Sequence, residues 1–186
     1  KNLTSKDLSK FSEKVLDIAL LTNSYIPNAN ISAIEFLDFK FDHLIRKENF
    51  DLIKEFLIKN PNLIESEKLI RFYVDYYLKN SQIDKSCEIF EITKEIISDY
   101  LTNFKMYCLI HQERVDEAQL LFDLKSEFGD LEKFFANKFN ILMGYKKPNE
   151  ELSDKNVLYF HLSHKTIKDF EYEPKLDTPK FIWNYL

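Results

Sequence analysis

The chain reads as all-helical, and three features of the sequence say so. Glycine is scarce: only Gly129 and Gly144 occur in 186 residues, whereas strands joined by tight hairpins draw on glycine for their positive-φ positions. Apolar residues recur at spacings of three and four in almost every segment long enough to test, the mark of helices with one face turned inward. The third feature is an echo. "SQIDKSCEIFE", residues 81–91, and "ERVDEAQLLFD", residues 113–123, share the order apolar, Asp, charged, small, and then an apolar pair closing on Phe.

The periodicity predicts helices over 4–22, 31–46, 50–60, 66–80, 82–97, 99–111, 115–128, 130–143, 153–164 and 178–186. The first carries Leu8, Phe11, Val15, Ile18 and Leu21, which are expected to pack on the second face of the helix that follows. The second has two apolar faces, Ile34, Leu37, Phe41, Leu44 and Ile45 on one side and Phe36 and Phe39 with His43 on the other. Pro61 stops the third, because proline lacks the N–H and clashes with the preceding turn. Over 66–80 only Lys68, Arg71, Asp75 and Lys79 share a polar stripe, so this helix is expected to be covered on more than one side and to lie innermost. Ser66, Ser81 and Ser153 are expected to cap the helices that follow them, and Thr178 with Pro179 to open the last. The helices over 99–111 and 130–143 follow from apolar spacing alone, and Gly129 suits a left-handed C-terminal cap after 115–128. The final segment ends on Phe181, Ile182, Trp183, Tyr185 and Leu186, an apolar end that calls for a neighbour to lie against.

The echo has a period. Val115 follows Ile83 by 32 residues, and 33 residues before Ile83 stands Phe50, opening "NFDLIKEFL" over 49–57. Copies at this interval point to a repeating unit of two helices. In the second helix of each unit a small residue, Ser86 or Ala118, precedes an aromatic by four positions, Phe90 or Phe122, with Ile53 and Leu57 at those places in the first copy. On that pair of positions, residues 31–143 resemble the tetratricopeptide family. The resemblance implies an α-α superhelix, a right-handed stack of nine or ten helices in helical hairpins. The length fits one domain over 1–186, with the repeat-like core at about 31–143; the mixed-charge stretch with two prolines and the apolar end read as a C-terminal linker and capping helix at about 165–186. The resemblance carries no ligand with it.

The totals exclude several classes of function. A composition of 45% hydrophobic and 31% charged residues is that of a folding chain. The net charge of -5, with Lys and Arg dispersed among acids, argues against a nucleic-acid partner. No apolar run reaches the length of a membrane span, so no membrane insertion is expected, and "KNLTSKDLSK" lacks the apolar centre of a secretory signal. Opening on Lys1 fits a processed protein or a piece of a longer one; the reading leans to the cytoplasm and leaves export after removal of a leader open. Cys87 and Cys108 both sit in apolar helical patterns and read as small buried thiols.

Chemistry is hard to write. Two isolated glycines make neither a phosphate loop nor a dinucleotide fingerprint, and no serine stands in a nucleophile elbow. His161 and His164 share a helix face at a spacing that two metal ligands would use, but a site needs a third ligand that only Asp154 or Asp169 could supply nearby, and surface or half-buried histidines are the plainer reading. His111 and Cys108 are three apart in an apolar run that offers a thiol no activation. Paired acids such as Asp116 with Glu117, and Glu150 with Glu151, stand at helix starts, where the dipole favours them. No cofactor and no metal are expected, and the chain is read as a non-enzymatic module that holds a partner protein or peptide. The inner surface of the stack, or the face bearing Phe36, Phe39 and His43, is the expected contact. A structural spacer within a larger protein is the alternative, and a metal-dependent enzyme built on the histidine pair stands third.

Overall fold

A computed structural model describes residues 8–22, 29–61, 66–93, 96, 98–129 and 131–186. Among these residues it has ten α-helices and no strand: α1 (Lys10–Leu21), α2 (Ala33–Lys47), α3 (Phe50–Lys59), α4 (Glu67–Lys79), α5 (Ile83–Ile92), α6 (Asp99–His111), α7 (Val115–Glu127), α8 (Lys133–Leu142), α9 (Val157–Thr166) and α10 (Lys180–Trp183). The predicted residues 4–7 of the first helix, 94, 95 and 97 of the fifth and 130 of the eighth lie outside the described residues.

Successive helices lie side by side: α2 on α3, α4 on α5 and α6 on α7, with α5 also against α6, and α8 against α6. The turns inside these pairs share one device. Glu48, Ser81 and Glu113 follow α2, α4 and α6 with positive φ, at 47°, 57° and 62°, and Gly144 after α8 has φ 77°. These positions succeed one another at intervals of 33, 32 and 31 residues. After α4, α6 and α8 the same two bonds close the helix end, Gln82 N–H to Tyr77 O with Ser81 N–H to Leu78 O, Arg114 N–H to Leu109 O with Glu113 N–H to Ile110 O, and Tyr145 N–H to Asn140 O with Gly144 N–H to Ile141 O. This is the Schellman arrangement, which satisfies carbonyls that the helix end would otherwise leave bare. Ser81 is therefore the left-handed terminator of α4 and not the cap of α5.

Other expected caps move for comparable reasons. Ser66 stands before α4 without a side-chain bond. Asn156 and not Ser153 caps α9, taking the Tyr159 N–H at 2.9 Å, so this helix starts at Val157. Ser153 is occupied elsewhere, its N–H donating to Ser163 Oγ at 3.0 Å. Thr178 accepts from Lys175 N–H, and the last helix is reduced to Lys180–Trp183. Working caps are Ser9, Ser32, Asn49, Ser98 and Asn156, with Ser32 and Glu35 forming a reciprocal box.

Helix α4 is inner, as its sequence implies. It packs against α2, α3, α5 and α9, with Leu69, Ile70, Tyr73, Val74 and Leu78 buried. Phe50 lies on its side among Phe72, Tyr73, Tyr76 and Tyr77. Glu88 of α5 ties three helices together, accepting from Tyr73 Oη at 2.9 Å and pairing with Lys54 of α3 at 2.9 Å. Where α4 meets α5, the fully buried Ser86 donates to Val74 O at 3.1 Å, a contact that needs a short side chain. Ile53 and Ala118 are likewise fully buried.

Two expectations fail here. Cys87 and Cys108 are not thiols: they form a disulfide between α5 and α6, with Cα atoms 5.3 Å apart. And Phe11, Val15 and Ile18 of α1 face solvent, while Leu20 is buried. Asp17 fixes this orientation, because it bonds Lys47 and His43 of α2 and so turns the helix onto its other side.

Two predictions follow from this packing. Ala118→Leu has no space to occupy and is expected to lose about 1 to 3 kcal/mol in chemical unfolding, as overpacked cores do. Reducing the disulfide, or replacing both cysteines with serine, frees a loop of sequence separation 21; it is expected to cost about 3 kcal/mol of stability, read from the same denaturation curves.

Candidate functional site

The predicted contact residues on α2 are not an open face. His43 is buried, its Nε2 lying 2.7 Å from Asp17 Oδ1, and Lys47 bonds the other oxygen. Burial works against the Asp17 carboxylate, yet the bonds from Lys47 and His43 hold it below its ordinary value. Phe36 and Phe39 are half-buried, with Lys40 Nζ over the Phe36 ring at 4.9 Å. The three residues share a helix, but His43 is consumed in attaching α1.

The histidine pair is equally committed. His161 is buried, with Nε2 2.7 Å from Tyr107 Oη and Nδ1 2.8 Å from Tyr185 Oη, which also lies 2.9 Å from His164 Nδ1. The row can be proton-ordered in either sense, with each imidazole nitrogen of His161 taking one role and the two tyrosine hydroxyls completing the chain to His164. Burial, then the nearby Lys165 and His164, push His161 down to about 3. No group of three or more His, Cys, Asp or Glu side chains converges as metal ligands among the described residues. Cys108 is spent in the disulfide, and His111 Nε2 lies 2.9 Å from Asp84.

The sides of α4 and α8 are covered as well. Helix α9 packs against α4 and α8, and its Tyr159 receives a bond from Asn103 of α6 while donating to Glu132. Every residue from Val157 to Ser163 is buried. The segment 145–156 that leads to it is laced to α8 by Lys138 Nζ to Asn149 Oδ1 at 2.9 Å and by Asn137 to Glu151 at 3.2 Å.

An open surface is found on α7, where the sequence drew no attention to it. Leu120, Leu124 and Phe128 repeat at four-residue spacing and form an apolar ridge, with Phe128 78% exposed. Two hollows of about 240 and 210 Å³ run beside it and share Leu121 and Leu124. The first is walled by Phe90 of α5 and by Lys105 and Leu109 of α6, the second by Thr102 of α6 and Phe128. Where α3 packs directly on α5, this groove separates α5 from α7. Arg114 closes one end, holding Glu117 at 2.7 Å and Glu91 at 2.5 Å. On the solvent side of the ridge stand Asp116, Asp123 and Glu127. The site is thus a groove beside an apolar ridge, with Lys105, Arg114 and Glu117 among its walls and an acidic border on the ridge's solvent side, suited to a side-chain row.

The buried titrating groups make a pH prediction. His161 has a folded value near 3 against 6.5 when free. The unfolded chain therefore takes up the proton first, and stability present above pH ~6.5 is lost toward pH ~3 at up to ~1.4 kcal/mol per pH unit. Asp75 acts oppositely. Burial raises its carboxyl from 3.8 to about 6, although Tyr100 Oη donates to it and Arg71 lies 3.8 Å away. Its folded form keeps a proton that the unfolded chain has released, so stability falls as pH rises from 3.8 to about 6. The two slopes offset each other where they overlap. Asp75→Asn is expected to uncover the acid-side loss, and His161→Gln to leave stability declining with rising pH over that range, in urea unfolding at several pH values. Set against protein-family models, curated proteins and solved structures, the chain matches none of them.

Proposed function

We propose that this protein is a helical-repeat interaction module, a tetratricopeptide-like right-handed stack, that holds a partner protein or peptide along α7. The carrying observation is the exposed ridge Leu120, Leu124 and Phe128 lying beside a groove. A contiguous apolar row left open beside a groove marks an interaction surface. The stacked reading draws support from the left-handed turns at 48, 81, 113 and 144, which recur at a tetratricopeptide-like interval. It also draws on the burial of Ile53, Ser86 and Ala118 at equivalent places in three second helices. No helix among the described residues is long and apolar enough to cross a membrane. The buried Cys87–Cys108 bridge favours a compartment where thiols are oxidised over the cytoplasm.

Capture assays with matched variants test the site. Leu120→Glu with Leu124→Glu is expected to abolish partner capture while shifting the melting temperature by no more than about 2 °C, because exposed positions contribute little to stability. Phe36→Ala with Phe39→Ala is expected to leave capture intact and lower stability. The opposite pattern would return the contact to α2.

A further inference from the structure

We propose that the partner seated in the α7 groove is α1 of a second copy of this chain. The inference rests on reading the groove as the partner site, and adds its occupant. Helix α1 is the complementary piece. Phe11, Val15 and Ile18, 78%, 51% and 60% exposed, form one stripe. At 100° per residue, Lys10 and Lys14 border that stripe on one side and Ser12 and Ala19 on the other, all four exposed. The ridge of α7 has its acids on one side, Asp116, Asp123 and Glu127, and the groove wall on the other. Laying the stripe of α1 along the groove brings the two lysines beside the acids and turns the small residues toward the wall, where close approach is needed. Lys10, Lys14, Asp116 and Glu127 enter no ion pair within the chain among the described residues. The anchoring of α1 through Asp17 keeps its apolar stripe outward, so the surface is presented already formed.

The contact joins two different surfaces, and a head-to-tail contact of that kind does not stop at two copies unless it closes a ring. This gives a test with four arms on the full chain. In sedimentation velocity, the unmodified protein is expected to form a concentration-dependent series beyond the dimer. Ile18→Asp and Leu124→Glu, both at exposed positions, are each expected to weaken association by about tenfold or more, as loss of a buried apolar anchor does. Mixed together, they are expected to associate and to stop at the dimer, since one retains the groove and the other the helix. A Lys14→Glu chain should bind its neighbours less tightly and be restored by an Asp123→Lys partner. Association lost in Leu124→Glu but kept in Ile18→Asp would overturn α1 as the occupant and leave the groove as a site. A chain that stays monomeric at every concentration would overturn self-association, while the capture assay above judges the groove separately. Two crippled variants that fail to complement would overturn the head-to-tail geometry.

Discussion

The burial of α9 against the first helices of the pairs is the constraint on which the rest of this fold depends. A row of helix pairs in contact only with adjacent pairs has a thin core that grows along one axis. Here a segment from far along the chain returns to α4, so the middle of the molecule is covered from two directions. The contact is demanding, because α9 brings His161, Ser163 and Thr166 inside with its apolar residues. Each polar group is met: His161 by Tyr107 and Tyr185, Ser163 by Tyr159 O, and Thr166 by Leu162 O. Buried polar atoms without partners would cost more than the helix could recover. The C-terminal Tyr185 is therefore part of the core network despite lying at the chain's edge.

This arrangement changes where function can sit. The faces of α4 and α8 that a ligand could have used are covered by α9. The second face of α2 is partly closed by α1, through one carboxylate shared by His43 and Lys47. The ridge of α7 stays open. The short α5, ten residues long, is tied by its disulfide to α6 and leaves a channel between itself and α7.

The helices were legible because apolar spacing and Pro61 act locally, and the inner position of α4 followed from its nearly closed apolar circumference. The misreadings concern partners distant in sequence. Tyr107 and Tyr185 lie 54 and 24 residues from His161, and nothing in "HLSH" announces them, so a buried, fully bonded histidine looked like a surface or half-buried one. Cys87 and Cys108 each suited an apolar face, and only the meeting of α5 with α6 reveals them as a pair. Ser81 looked like a cap since serine favours caps; its left-handed conformation is one that glycine would have signalled. The candidate site was hidden for the reverse reason. Leu120, Leu124 and Phe128 have the spacing of core residues, and periodicity cannot distinguish an apolar face that is covered from one that is bare.

The shape of the channel also selects the form of its occupant. It runs beside α7, whose 13 residues span about 20 Å at 1.5 Å per residue. An extended peptide laid there would bring unpaired amides and carbonyls against Leu and Phe side chains, and no sheet edge is present among the described residues to receive them. A helix satisfies its own backbone and presents only side chains. Its apolar row must repeat every three or four residues to stay over the ridge, and its bordering charges must be positive to meet Asp116, Asp123 and Glu127. Helix α1 meets both requirements with 12 residues, close to the length of α7. On the proposed contact the acids would do more than keep an exposed apolar ridge soluble: they would discriminate among amphipathic helices by the sign of their flanks.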